Sequence, residues 1–256
     1  MPNPRLLIDQ PLAAGATLTL DEAQAHHVGA VLRLAAGDAL RVFNAREGEW
    51  RARVIEKTKR GMRVLVEERL RAARACPDLD LLFAPVKRHA RDLIVEKATE
   101  LGVARIRPVL TQRTIAETVR VDRLALIARE AAEQTERFDA PEIAAPVSLP
   151  RALDGWESAR PLIFADEAGD DEAQAWGGTQ GRAPPLAQAL ASVAGAAKLA
   201  VLIGPEGGFT PEERRLLRGL SHVIPVSLGP RILRAETAAI AALTLIQAVW
   251  GDWRQG

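Results

Sequence analysis

Apolar and charged residues alternate along the first seventy residues of the chain. The alternation is clearest over residues 39–43, 50–55 and 62–66, and it predicts strands with one buried face. One helical stretch, residues 21–32, interrupts them and has Asp21 as its predicted N-cap. The pattern predicts a small β-barrel with one helix, in which the charged strand positions face solvent.

The hydrophobic period changes after a charged linker at residues 71–78. Strand patterns then alternate with helical patterns, and Asp122 is the predicted cap of one helix. The predicted strands cover residues 79–84, 103–110, 162–165, 200–203 and 223–228. This alternation is typical of a parallel α/β sheet. We therefore predict two domains, at residues 1–72 and 73–256.

Two glycine-proline turns follow the last two predicted strands. They are residues 204–208 (GPEGG) and residues 228–231 (LGPR). Parallel neighbouring strands would bring the two turns together, and ligands bind at the carboxyl ends of such strands. We therefore predict that the turns form the walls of a small-molecule pocket. The alternative is a pair of ordinary turns between strand and helix, which glycine and proline often mark.

The start of the helix after the first turn is defined by a capping box. Thr210 is its N-cap, Pro211 its first residue and Glu213 the third. The turn therefore has a fixed end. Neither turn carries a Walker-type phosphate loop or the glycine fingerprint of dinucleotide-binding proteins.

Composition narrows the class of protein. No apolar run approaches the roughly 20 residues that span a bilayer, and no signal-peptide pattern is seen, so we expect a cytoplasmic protein with no membrane partner. One cysteine, Cys76, and four scattered histidines predict no metal site.

The net charge of +1 conceals a regional pattern. Residues 1–75 carry 13 Lys/Arg against 9 Asp/Glu, whereas residues 126–173 carry 4 against 12. A basic, arginine-rich N-terminal region suggests a polyanion such as nucleic acid as partner. The alternative is a solvated β-surface that uses arginine in place of lysine.

The sequence around both turns resembles the paired signature of the RsmE family. The segments are residues 203–210 (IGPEGGFT) and 228–238 (LGPRILRAETA). Further similar segments, in the family's order, are HHV at 26–28, EKATELG at 96–102, QRT at 112–114 and EQT at 133–135. One departure is Glu136, which stands where the family pattern Glu-Gln-Ser-Gly-Arg has its glycine.

The resemblance implies a SPOUT-class methyltransferase that makes N3-methyluridine in 16S ribosomal RNA of the small subunit. It implies an N-terminal PUA-like RNA-binding barrel and a C-terminal α/β domain with a deep trefoil knot. It also implies a homodimer, formed partly by the last helix. S-adenosylmethionine is the implied cofactor, held by Leu202, Ile203, Gly204, Pro205, Glu206, Gly207, Gly208, Leu228, Gly229, Ile232, Leu233 and Ala238.

The resemblance also suggests catalytic roles. Arg234 would stabilise the uracil anion, Glu206 would accept the N3 proton or orient the cofactor, and Glu236 would anchor Arg234. The alternatives are an Arg234 that caps its helix or pairs with Glu236, and a purely structural Glu206. The predicted RNA contacts are His26, Arg33, Arg51, Arg53 and Arg113.

Other functions remain open from the sequence. A ribose 2′-O methyltransferase of the same class is the alternative within enzymes. A non-catalytic RNA-binding protein would keep the basic barrel but would not need two glycine turns. A nucleotide-dependent α/β enzyme would need the phosphate motifs that the two turns do not contain.

Overall fold

A computed structural model describes residues 3–58, 61–115, 118–171, 173–174 and 178–255. The chain divides into two compact units. The first comprises Met1–Ala75 and Arg129–Ala140, and the second Cys76–Ala128 and Pro141–Gly256. The predicted domain limits place residues 129–140 in the second domain, whereas this segment groups with the first unit. In the described part of the chain, no helix has the length and apolar character to cross a membrane.

The first unit contains a five-stranded sheet. Its strands are β1 (Arg5–Leu7), β2 (Thr17–Leu20), β3 (Ala39–Asn44), β4 (Gly48–Thr58) and β5 (Gly61–Arg71). Their order is β1-β3-β4-β5-β2, with β1 parallel to β3 and the other neighbours antiparallel. Alternate apolar side chains, such as Val42, Val54 and Val64, form one buried cluster. The strands predicted from alternation are thus confirmed.

The helix of the first unit begins as predicted. α1 (Glu22–His26) has Asp21 as its N-cap, and a capping box joins Asp21 to Gln24. The chain then continues as a π-helical turn, His27–Val31. The end of this turn leaves Arg33 in a left-handed backbone conformation, with a φ of 58°.

The second unit contains a parallel sheet of seven strands. They are β6 (Leu79–Phe83), β7 (Arg105–Leu110), β8 (Glu142–Ile143), β9 (Val147–Ser148), β10 (Leu162–Ala165), β11 (Leu199–Ile203) and β12 (Val223–Val226). The helices of the chain from residue 76 onward are α2 (Arg88–Glu100), α3 (Val121–Gln134), α4 (Leu149–Leu153), α5 (Leu186–Ala189), α6 (Pro211–Arg218) and α7 (Ala235–Val249). The last part of α3, from Arg129, groups with the first unit. The predicted parallel α/β sheet is confirmed. The trefoil knot stays a prediction.

Both faces of this sheet are buried, because its strands are apolar at almost every position. On β11, Val201 and Ile203 pack into the cluster that contains residues of α2 and α7. Ala200 and Leu202 point to the opposite face, where the cluster contains residues of α4 and α6. Near-continuous apolar runs are typical of a strand that is covered on both faces.

The order of the strands corrects one prediction. β11 and β12 are not neighbours: the sheet order is β12-β10-β11-β6-β7-β8, so β10 lies between them. β10 is parallel to both and in register with both. The two glycine turns therefore meet across the carboxyl end of β10, which adds a third wall.

The helix starts were predicted with mixed success. α6 has the predicted capping box: the Thr210 hydroxyl accepts a hydrogen bond from the Glu213 amide at 3.3 Å, and the Thr210 amide donates to Glu213 Oε2 at 3.0 Å. Asp122 is not the cap of α3, because the helix begins one residue earlier, at Val121. The Asp122 side chain instead accepts a hydrogen bond from Arg120 at 2.7 Å.

Candidate functional site

A cleft lies at the carboxyl ends of β10, β11 and β12. Its enclosed part measures about 50 Å³. Three loops and the first turn of α7 line it, with Ala165, Asp166, Glu167, Ile203, Gly204, Pro205, Glu206, Val226, Leu228, Gly229, Arg231, Ile232, Leu233, Ala235 and Ala238. This is the position at which parallel α/β sheets bind ligands.

The cleft brings together nine of the residues predicted to bind cofactor. They are Ile203, Gly204, Pro205, Glu206, Leu228, Gly229, Ile232, Leu233 and Ala238. Leu202 does not line it, because its fully buried side chain packs against the opposite face of the sheet with Phe164 and Phe209. The cofactor contacts of all these residues stay a prediction.

Gly207 and Gly208 also lie outside the cleft lining. A Cβ atom added to Gly207 would meet the Arg113 side chain at 3.3 Å. At Gly208, where φ is +66°, an added Cβ would lie 2.8 Å from Glu167 Oε1. These glycines therefore let two charged side chains approach the first turn closely.

Glycine suits positions 204 and 229 for two different structural reasons. An added Cβ at Gly204 would lie 2.6 Å from the Phe209 ring, so the ring packs directly onto the backbone of the turn. Gly229 has a φ of +118°, a conformation that side-chain-bearing residues rarely adopt. The shape of both cleft walls thus depends on glycine.

Sequence reasoning missed the loop after β10. Ala165, Asp166 and Glu167 all line the cleft. Their only sequence signal is an acidic pair that directly follows the buried strand of residues 162–165. Arg231 also lines the cleft, as the predicted pocket wall at residues 228–231 implies, although it was not among the residues predicted to hold the cofactor.

Asp166 is held firmly in place. Its side chain is 2% exposed. Oδ1 accepts a hydrogen bond from Arg214 Nε at 2.8 Å, and Oδ2 accepts one from Arg218 Nε at 2.7 Å. Both arginines come from α6, so Asp166 ties that helix to the end of β10.

Glu167 differs from Asp166 because, in the described part of the chain, no arginine forms an ion pair with it. Burial raises the pKa of the Glu167 carboxyl, and the neighbouring Asp166 raises it further. A hydrogen bond from the backbone amide of Glu167 itself, and then the charges of Arg214 and Arg113, oppose this change. The result is a half-buried carboxyl in the cleft whose pKa lies above its ordinary value.

Among the predicted catalytic residues, Glu206 lines the cleft and is exposed to solvent. Arg234 is the N-cap residue of α7, but its side chain makes no capping hydrogen bond. In the described part of the chain, Arg234 forms no ion pair with Glu236. The catalytic roles of Arg234, Glu206 and Glu236 and their structural alternatives stay predictions.

The predicted RNA contacts fall into three groups. His26 and Arg33 are exposed around the π-helical turn. Arg51 and Arg53 are also exposed, but they pair with Glu68 at 2.8 Å and Glu67 at 2.7 Å. Arg113, in the second unit, donates to the Gly207 carbonyl at 2.8 Å. RNA binding by these residues stays a prediction.

Two family models match the chain. A model described as an RNA methyltransferase domain matches residues 74–247, and one described as an RNA methyltransferase PUA domain matches residues 20–67. The first match alone covers more than half of the chain.

Individual proteins are similar to this chain over nearly its full length. The ribosomal RNA small subunit methyltransferase E of Rickettsia conorii is 30% identical, over 95% of this chain and 94% of that protein. A Legionella pneumophila protein solved with bound SAM has a TM-score of 0.81 and 31% identity, covering 98% of this chain and all of that one.

A solved relative carries the same name as the Rickettsia protein. It is the ribosomal RNA small subunit methyltransferase E of Neisseria gonorrhoeae, bound to S-adenosyl methionine. Its TM-score is 0.79 at 25% identity, over 98% of this chain and 99% of that one. With a PUA domain, an RNA methyltransferase domain and full-length relatives of one name, the chain belongs to the ribosomal RNA small subunit methyltransferase E family.

Proposed function

We propose that this protein transfers the methyl group of S-adenosylmethionine to N3 of a uridine in small-subunit ribosomal RNA. The observation that carries the proposal is the cleft itself. It is built from the two glycine turns whose sequences resemble the family signature, at the ligand-binding end of a parallel sheet. The relatives solved with bound SAM support it.

The residues of the cleft fit S-adenosylmethionine chemically. Apolar side chains such as Ile203, Leu228 and Leu233 suit the adenine ring, and two irregular loops present backbone groups. Asp166, Glu167 and Glu206 bring negative charge to a ligand whose sulfonium and ammonium groups are positive. The cleft is narrow, with a volume of about 50 Å³.

The protein itself performs two tasks in the proposed reaction. The sulfonium of the donor supplies an activated methyl group. The protein aligns the uracil with it, which can provide much of the rate, and stabilises the negative charge that develops on the base. We assign the second task to Arg234, the N-cap residue of α7, which stands between the cleft-lining Leu233 and Ala235.

We further propose that the first unit binds RNA mainly through phosphates. The basic balance of residues 1–75 and the exposed His26 and Arg33 support this. The match to a PUA domain found in RNA methyltransferases agrees with it. A ribosomal RNA substrate would also make this a cytoplasmic enzyme.

A homodimer completes the proposal. α7 and the 3-10 turn after it leave three large apolar side chains exposed: Leu245 at 37%, Val249 at 37% and Trp253 at 50%. Leu245 and Val249 are one helical turn apart and share a face. Sedimentation analysis of Val249→Glu should show monomers where the unchanged protein forms dimers.

Nucleoside mass spectrometry of ribosomal RNA tests the proposed reaction. Small-subunit RNA from cells without the protein should lack one N3-methyluridine, and re-expression should restore it. Loss of a 2′-O-methylated nucleotide instead would support the alternative reaction on ribose. No change in any nucleoside would favour an RNA-binding protein without catalysis.

A further inference from the structure

We propose that Glu167, rather than Glu206, accepts the N3 proton of the target uridine. This inference rests on the proposed uridine methylation. It assigns a catalytic role to a residue that lies outside both glycine turns and follows β10.

Position is the first observation. Glu167 lines the cleft directly after the central of the three strands that end there. Its Oε1 atom lies 2.8 Å from the point where a side chain on Gly208 would begin, so the carboxyl packs against the first glycine turn. A side chain at 208 would require the Glu167 carboxyl to move away from the turn.

The competing carboxyls are less suited to take a proton. Both oxygens of Asp166 accept hydrogen bonds from arginines of α6, at 2.8 Å and 2.7 Å, so both are already engaged within the protein. Glu206 is exposed on the outer part of the turn. In the described part of the chain, these three residues are the carboxyl side chains that line the cleft.

Electrostatics support the assignment. Burial and the charge of Asp166 raise the pKa of the Glu167 carboxyl, and Arg214 and Arg113 moderate the rise. Glu206 and Arg231 are the other charged groups of the cleft. A base with a raised pKa takes a proton more readily.

The proposed proton and methyl transfers conserve atoms and charge. A carboxylate oxygen of Glu167 takes the N3 proton, the N3 electron pair forms the bond to the methyl carbon, and sulfur keeps the pair of the bond that breaks. The neutral Glu167 carboxyl then returns the proton to solvent.

Glu167→Gln tests the step, because it removes the basic oxygen and keeps the shape of the side chain. Single-turnover methylation of small-subunit particles should slow by about 10²- to 10⁴-fold near neutral pH. Glu142→Gln, which neutralises an exposed carboxylate on β8, is the matched control and should react at the normal rate. Calorimetric affinity for S-adenosylmethionine should change far less than the rate.

The pH profile separates a proton acceptor from a structural group. In the unchanged protein the rate should fall as pH drops through the raised Glu167 pKa. In Glu167→Gln that limb should vanish, and the rate should instead climb tenfold per pH unit, because N3 must then ionise without help. A slow variant that keeps the original profile would overturn the assignment.

Two further outcomes are decisive. A normal rate for Glu167→Gln together with a large loss for Glu206→Gln would make Glu206 the acceptor and contradict the inference. If the unchanged protein makes no N3-methyluridine at all, the proposed function fails, and the inference fails with it. The reaction of the unchanged protein, run in parallel, distinguishes these cases.

Discussion

At the residue scale, Glu136 shows what a departure from the family pattern costs. It stands where the family has glycine, and its φ of 63° lies in the left-handed region. Its carboxylate pairs with Arg41 at 3.3 Å and with Arg71. The side chain thus adds ion pairs at a position whose backbone favours glycine.

The free energy of unfolding should reveal this strain. Glu136→Gly should be more stable than Glu136→Ala by about 1 kcal/mol, because alanine keeps the left-handed strain and glycine does not. Chemical denaturation of both variants measures the difference. The control is the pair Glu130→Gly and Glu130→Ala, at an exposed position inside α3. There the glycine variant should be the less stable of the two by about 1 kcal/mol, because glycine is unfavourable inside a helix. Equal stabilities at 136 would refute the strain.

Arg234→Ala tests the assignment of charge stabilisation. The loss of one group that stabilises a developing anion costs about 3–4 kcal/mol in comparable sites, or roughly a hundred- to thousandfold in rate. Cofactor affinity should change little, since Arg234 is not among the residues that line the cleft. Single-turnover methylation and calorimetry measure the two effects. A normal rate would exclude Arg234 from the chemistry.

The residues that line the cleft could be predicted from the sequence where they belong to a distinctive motif. The two segments that resemble the family signature, in and around the glycine turns, predicted nine of the cleft residues, because their sequence is distinctive and their place after strands is fixed. Asp166 and Glu167 were not predictable, since an acidic pair after a strand is common and nothing in its spacing points to a cleft. Their position depends on where β10 enters the sheet.

At the scale of elements, a complete capping box predicted a helix start correctly, whereas the single Asp122 cap and the pairing of β11 with β12 were wrong. The capping box fixed the start of α6 at Pro211, because both of its hydrogen bonds lie within four residues. The order of β10, β11 and β12 depends on contacts between distant segments, which hydrophobic periodicity does not encode. Placing β11 beside β12 was therefore wrong.

The first turn of α7 should limit the size of the cleft. Ala238 lines the cleft and is 9% exposed, so Ala238→Leu places three more carbon atoms in a narrow space. Overpacking of this kind costs about 1–3 kcal/mol, so affinity for S-adenosylmethionine should fall by about tenfold or more. Calorimetry measures the affinity. Ala191→Leu, an exposed position in the same unit, is the control for added bulk and should bind normally.

The affinity of Ala238→Leu for S-adenosylmethionine tests where the cofactor binds. If the folded variant binds S-adenosylmethionine as tightly as the unchanged protein, the cofactor lies elsewhere. Thermal unfolding of both variants shows whether the fold has survived the substitution.

At the scale of the whole molecule, RNA affinity should depend on salt through the unpaired cations of the first unit. Arg33 is exposed, and the described part of the chain gives it no ion pair, whereas Arg53 pairs with Glu67 at 2.7 Å. Arg33→Gln should weaken RNA binding and lower the slope of log affinity against log salt by about 1. Arg53→Gln should change the slope less, and the reverse order would contradict this assignment.

The most direct test of the whole account follows the methyl group itself. Small-subunit particles that lack the modification are incubated with the purified protein and methyl-deuterated S-adenosylmethionine, and the RNA nucleosides are weighed by mass spectrometry. We predict one deuterated N3-methyluridine per particle. Deuterium on a ribose 2′ oxygen, on another base, or on no nucleoside would contradict the account.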